Sequence, residues 1–211
     1  MNKQQEQLEA LRDIRTLMER SSRFLSLSGL AGVVVGVLAI ACIIIAYGFL
    51  GLSPEQSGYQ HVVMEDGEQG ARVRMLLLAD FGIVLCTSVL TGSLMAMRKA
   101  KRLGLPVWDL TTKRLLINMA IPLAAGGIYA IILMYQGHIA LVAPATLIFY
   151  GLALIHASKY TINDIRHLGV AELITGLVAS SLPDYGLLFW AFGFGILHIV
   201  YGMMIHLKYE K

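Results

Sequence analysis

The sequence predicts an all-α membrane protein of six spanning helices arranged as three hairpins behind an amphipathic N-terminal helix. Three observations carry this. Of 211 residues, 56% are hydrophobic and only 15% charged, far below the roughly 25% charged of soluble domains. Residues 187–207 run for twenty-one positions without Asp, Glu, Lys or Arg, the ~30 Å that a hydrocarbon core asks of a helix. Comparable apolar runs recur along the chain, separated by short polar breaks. The two cysteines, Cys42 and Cys86, both fall inside such runs, so the sequence offers neither a disulfide framework nor a CxxC pair, and each reads as a small core side chain.

Residues 1–23 form the first region. Leu8, Leu11, Ile14 and Met18 recur near helical spacing among Arg12, Arg15 and Arg20, which predicts a cytoplasmic amphipathic helix over 4–22. The polar start, Met1-Asn2-Lys3-Gln4-Gln5-Glu6, is not that of a cleavable leader, so the first apolar segment is expected to be both signal and anchor. The membrane domain is expected over 24–208, with spans at about 24–52, 75–97, 115–135, 139–157, 165–182 and 187–207. Ser28, Gly32 and Gly36 in the first span stand four residues apart, a small-xxx-small stripe that admits a neighbouring backbone and is read here as internal bundle packing. The break at 53–70 carries Glu55, Glu65, Asp66 and Glu68 and is the longest loop.

The second span holds Asp80 and stops at Arg98-Lys99-Ala100-Lys101-Arg102. Because that cluster abuts the membrane, it reads as a stop signal and an anionic-lipid contact, and no nucleic-acid partner is expected. Trp108 follows as an interfacial anchor. The third span contains Asn118 and, at Pro122, an expected kink; Gln136-Gly137-His138 makes a tight turn into the fourth. Thr161-Ile162-Asn163-Asp164 reads as a turn with a helix N-cap before the fifth span, and the sixth closes the chain. Six crossings with both ends inside put fifteen of the seventeen Lys and Arg on the cytoplasmic side, leaving Arg72 and Arg74 outside. That asymmetry predicts a bacterial inner-membrane protein with cytoplasmic termini.

Tyr150-Gly151, Ile155-His156 and Lys159-Tyr160 of the fourth span are echoed by Tyr201-Gly202, Ile205-His206 and Lys208-Tyr209 of the sixth. With two one-residue gaps allowed, spans three-four and five-six read as two copies of one hairpin, and spans one-two as a diverged third. Six spans with short outer turns, and the run Glu172, Gly176, Pro183, Gly186, Gly193, Gly202, resemble the HdeD-like family of small bacterial inner-membrane proteins. The resemblance covers spans three to six and implies a six-helix fold and a stress-related role. It carries no catalytic motif; the long acidic loop and the amphipathic N-terminus depart from a plain three-hairpin pattern.

The candidate site residues are the polar groups placed inside apolar runs at a cost. Asp80, Asn118, Glu172 and His198 are the intramembrane polar set, with Asp80 expected toward the outer side and Glu172 toward the cytoplasmic side. His156, Glu172 and His206 are expected in one cytoplasmic-side band, where two imidazoles and a carboxylate make a donor set for Zn²⁺, or two imidazoles for haem iron. The same histidines, flanked by Lys159, Tyr160, Lys208 and Tyr209, also read as interfacial residues. Since no HExxH, P-loop, GxGxxG or catalytic triad is present, the chain is expected to be no enzyme and to need no cofactor, with metal or haem at His156/His206 the lesser reading. The expected function is a non-enzymatic membrane protein, envelope- or stress-related, that meets a cytoplasmic partner or a second copy of itself through residues 4–22. The alternative is a small proton-coupled transporter or channel using Asp80 and Glu172.

Overall fold

The computed structural model describes Gln5 and residues 28–50, 67–104 and 106–209. The expected amphipathic helix 4–22, with the partner surface assigned to it, and the acidic loop through residue 66 lie outside the described residues. Six helices follow: α1 Gly29–Leu50, α2 Glu68–Arg102, α3 Leu110–Tyr135, α4 Val142–Ala157, α5 Asp164–Ser181 and α6 Pro183–Tyr209. Among the described residues there is no strand. Among the described residues, five helices are long and apolar enough to cross a membrane. The exception is α5, whose eighteen residues include Asp164, Arg166 and Glu172.

Several helices outrun the apolar segments that announced them. α2 begins at Glu68 and runs through Arg102, because hydropathy marks where lipid ends and backbone hydrogen bonding does not stop there. Glu68 in its first turn and Lys99, Lys101 and Arg102 in its last also complement the helix dipole. α3 starts at Leu110, where the Asp109 carboxylate accepts a 2.7 Å hydrogen bond from the Thr112 amide, and it continues through Pro122. Its end is a glycine-terminated cap: Gly137 takes φ +78° while the His138 amide donates to the Leu133 carbonyl at 2.8 Å. Asn163 precedes α5 but makes no side-chain cap, and the Asp164 carboxylate beside it is drawn across the bundle instead.

Packing follows the glycines. α6 packs chiefly on α1, α5 on α4, and α3 on α4, so the main partner of the last helix is the first helix rather than α5, its neighbour in the expected hairpin. α1 and α6 run antiparallel, Gly29 against Gly202 and His206, Gly32 against Gly202 and His198, and Gly36 against Gly195 and Ile199. The small-residue stripe of α1 is therefore an internal seam. In α4 and α5, Gly151 meets Gly169 backbone to backbone, and Gly176 lies on Ile148. Both glycines of the repeated Tyr-Gly pairs, Gly151 and Gly202, are thus points of close helix approach.

A Cβ at Gly202 would stand 2.7 Å from both the Gly29 carbonyl oxygen and the Val33 nitrogen. Backbone atoms do not yield as a side chain does, so Gly202→Ala is expected to destabilise the bundle by about 1–3 kcal/mol. Gly92→Ala is the control, since Gly92 faces open space and alanine is the better helix former. Thermal unfolding in detergent should drop for the first and hold or rise for the second.

Candidate functional site

Three helices bring the site together, α4 with Tyr150, α5 with Glu172 and α6 with His198. Glu172 has no exposed surface and His198 only 4%. His198 Nδ1 lies 3.2 Å from Glu172 Oε1 and 3.1 Å from the Gly193 carbonyl oxygen, while Nε2 lies 2.9 Å from the Tyr150 hydroxyl. With Glu172 as carboxylate, two acceptors face Nδ1, so the ring proton belongs there and Nε2 accepts from Tyr150. The Nδ1–H is aligned with the Gly193 carbonyl, and neither carboxyl oxygen of Glu172 has an aligned hydrogen bond. Glu172 and His198 lie within ion-pairing distance all the same, the pair being charged when His198 is protonated.

The local backbone explains how a carboxyl group fits here. α6 opens with a 3₁₀ turn, Pro183–Tyr185, continues as α-helix over Gly186–Trp190, widens to a π-helix over Ala191–Leu197 and returns to α-helix at His198–Tyr209. Gly193 lies in the widened turn. A side chain there would collide with Glu172 Oε2 and Leu147, so the missing Cβ is the space that the carboxyl group fills. Such wide turns are rare and gather at functional positions.

Aromatic rings close the site. Trp190, Phe194 and His198 recur every four residues, with ring centroids 4.8 and 5.8 Å apart along the row, and Tyr150 packs on Phe194 at 4.8 Å. Phe81 of α2 meets Trp190 edge-on at 4.8 Å. Burial among rings and Leu147 lowers the local dielectric, which strengthens the contact between Glu172 and His198 and raises the cost of leaving either charged alone.

The other candidate polar residues fall elsewhere. Asp80 accepts a 3.1 Å hydrogen bond from the Cys42 thiol, and Thr87, two turns further along α2, bonds its own helix at Ile83 and Val84. The α1–α6 register sets Ile40 against Gly195, so Cys42 falls near the level of Gly193. The two acids therefore lie within about one helical turn of the same depth, on opposite sides of the α1–α6 pair, and not at opposite depths as the span positions implied. Asn118 donates to the Arg114 carbonyl at 2.8 Å and the Tyr160 hydroxyl at 3.3 Å, tying α3 to the turn after α4.

The metal expectation is corrected. Among the described residues, no three His, Cys, Asp or Glu side chains are gathered so as to hold a metal ion. His156 is exposed and His206 half-buried, whereas Glu172 is fully buried against His198. The equivalence read from the two Ile-His pairs fails because α4 and α6 turn those positions toward different neighbours. Tyr150 and Gly193 were not singled out from sequence as site residues. The four-residue spacing of Trp190, Phe194 and His198 is the signal that could have pointed to them.

A second polar cluster holds the ends of α5 and α6 together. Asp164 accepts from Lys208 Nζ at 2.9 and 3.2 Å and from the Tyr209 hydroxyl at 2.7 Å. The Tyr209 hydrogen bond, and after it Lys208, holds the Asp164 carboxyl below the ordinary carboxylate range, against partial burial that pushes it up. A lowered carboxyl stabilises the fold above its unfolded value of about 3.9, and the contribution fades as pH falls through the lower folded value. Unfolding of Asp164→Asn and the native protein should therefore differ most near neutral pH and converge below about pH 4; a gap that persists in acid would show that the clasp owes nothing to the charge.

Compared with models of protein families, with curated proteins and with solved structures, the chain matches none.

Proposed function

We propose that this is a multi-pass, non-enzymatic membrane protein that takes up and releases a proton at Glu172 and His198, in the class of small proton-coupled transporters or channels. The observation that carries the reading is the fully buried Glu172 carboxyl, 3.2 Å from the His198 ring and without an aligned hydrogen bond. A lone carboxylate so buried would be destabilising by several kcal/mol, so the pair holds one proton between its two members. Carboxylic acid with neutral imidazole, and carboxylate with imidazolium, are both neutral overall and differ by one transfer between Nδ1 and Oε1. From the unloaded state, a Glu172 carboxylate beside the Nδ1–H tautomer, a proton arriving at Nε2 from the Tyr150 side would make the imidazolium. Passage of Nδ1–H to Oε1 would then leave the acid beside an Nε2–H imidazole, a relay that crosses the imidazole. An ionisable residue in such a position is by default a functional candidate, and ion sites in transporters favour helices with broken regularity, as in α6.

The membrane is proposed to be a bacterial inner membrane, with both termini cytoplasmic. The distribution of Lys and Arg supports this orientation. It requires α5 to count as a sixth crossing; its support is that α5 lies along α4 through Gly169 and Gly176 and turns Glu172 inward. An envelope or stress-related role is what the HdeD-like resemblance implies.

Two measurements test these proposals. In liposomes holding a pH-sensitive dye, the native protein should dissipate an imposed proton gradient, Glu172→Gln should slow this at least about tenfold, of the order seen when a proton-transferring group is lost, and Asp80→Asn should retain most of it. Native protein no leakier than empty liposomes would overturn the transport reading. Separately, a C-terminal alkaline phosphatase fusion should be inactive in intact bacteria and a fluorescent-protein fusion bright; the reverse pattern would leave five crossings.

A further inference from the structure

Two consecutive helices, α2 and α3, share a short connection and yet do not pack on each other. α2 packs on α1, and α3 packs on α4. Each leaves an exposed stripe at helical spacing that begins in cations and continues in hydrocarbon. On α2 the stripe runs from Lys101 and Arg98 through Leu94 to Leu90, and on α3 from Lys113 and Arg114 through Ile117 and Ile121 to Ile128. Gly92 on α2 and Gly127 on α3 have nothing near their missing Cβ positions.

Only seven residues, 103–109, separate the charged end of α2 from the start of α3, so the two charged ends are close along the chain. Leu103 and Gly104 close α2 with amide hydrogen bonds back to Lys99 and Lys101, Gly104 taking φ +66°, and Asp109 caps α3. The lone acid of this turn is thereby occupied by the Thr112 amide. Trp108 is 65% exposed, and Lys113 Nζ lies 5.8 Å from its ring centroid, an amphipathic ring and a cation side by side, as at a headgroup boundary. Arg98, Lys101, Arg102, Lys113 and Arg114 are all exposed, so the turn carries dense positive charge beside two apolar stripes.

We infer that the space between α2 and α3 is a binding site for one anionic phospholipid, its phosphate held by Arg98, Arg102, Lys113 and Arg114 and its acyl chains lying along the two stripes. Charge selects the headgroup: paired arginines hold phosphate oxygens through forked donors, and basic pockets between membrane helices are where acidic headgroups bind. Hydrocarbon selects the remainder, since a soluble phosphate would leave both stripes uncovered. The inference rests on the membrane reading but is independent of proton binding at Glu172.

The test uses the full-length protein purified in detergent and offered phosphatidylcholine, phosphatidylglycerol or inorganic phosphate, with bound lipid read by native mass spectrometry. Phosphatidylglycerol should be retained in preference to phosphatidylcholine by at least about tenfold. The preference should weaken with salt and vanish in the Arg98→Gln, Arg102→Gln, Lys113→Gln, Arg114→Gln variant. It should survive in Arg72→Gln, Lys159→Gln, which removes two exposed cations elsewhere. Should the fourfold variant fail to fold, the headgroup preference and salt dependence of the native protein decide alone. Lipid bound without headgroup preference would overturn this site and leave the membrane reading intact; no bound lipid would overturn both. Displacement of the lipid by inorganic phosphate would overturn the role given to the stripes.

Discussion

Backbone-to-backbone contact at glycine is the constraint on which this bundle depends. In lipid there is little hydrophobic gain from bringing two helices together, because acyl chains are as apolar as leucine; association rests on close van der Waals contact and on hydrogen bonds. Gly29, Gly32 and Gly36 admit α6, and Gly151 and Gly169 bring α4 and α5 together. α4 and α6 are thus held by different partners, and the site forms where their inner faces meet α5. If either seam opened, Tyr150, Glu172 and His198 would separate, because no two of them share a helix.

Against that close-packed background, Glu172 is unusual for where it is tolerated. A carboxyl group excluded from water needs a donor or a proton; here it has an imidazole edge, and its volume is accommodated by the absence of a side chain at Gly193. The widened turn does two things at once. It sets the Gly193 carbonyl 3.1 Å from His198 Nδ1, which fixes the imidazole, and it places the bare Gly193 Cα against the carboxyl. The competition between Gly193 and Glu172 for the same Nδ1 hydrogen is the physical origin of the carboxyl's unmet hydrogen bonding.

Much of the fold was legible because hydropathy and glycine spacing act locally. The apolar runs gave the described helices, and Gly137 lies where its chemistry closes one; the cap that forms is at Asp109, while the one read at Asn163 does not. Helix ends were less legible: α2 extends well past its apolar run at both ends, since charged residues are good helix formers once outside lipid. The polar set was half legible. Glu172 and His198 stood out as costly residues, but their pairing was not, because a one-residue widening in α6 rotates everything after it by about 100°. The equivalence drawn between His156 and His206 fails for another reason: Gly151 turns α4 toward α5, and Gly202 turns α6 toward α1.

Asp80 shows why depth read from span limits misleads. Its helix runs outward past the expected boundary to Glu68, so its distance from a hydropathy edge says little about its level relative to α6. Helix-to-helix contacts do better: Asp80 is fixed to Cys42, and Cys42 stands near the level of Gly193 through the α1–α6 seam. Between the two acids lies a row of rings, Phe81 on Trp190 and Trp190 on Phe194, with no donor or acceptor except the indole N–H. Phenyl rings carry no proton-relaying atoms, so Asp80 and Glu172 are neighbours in depth and separate in chemistry, and the candidate site is the one assembled by α4, α5 and α6.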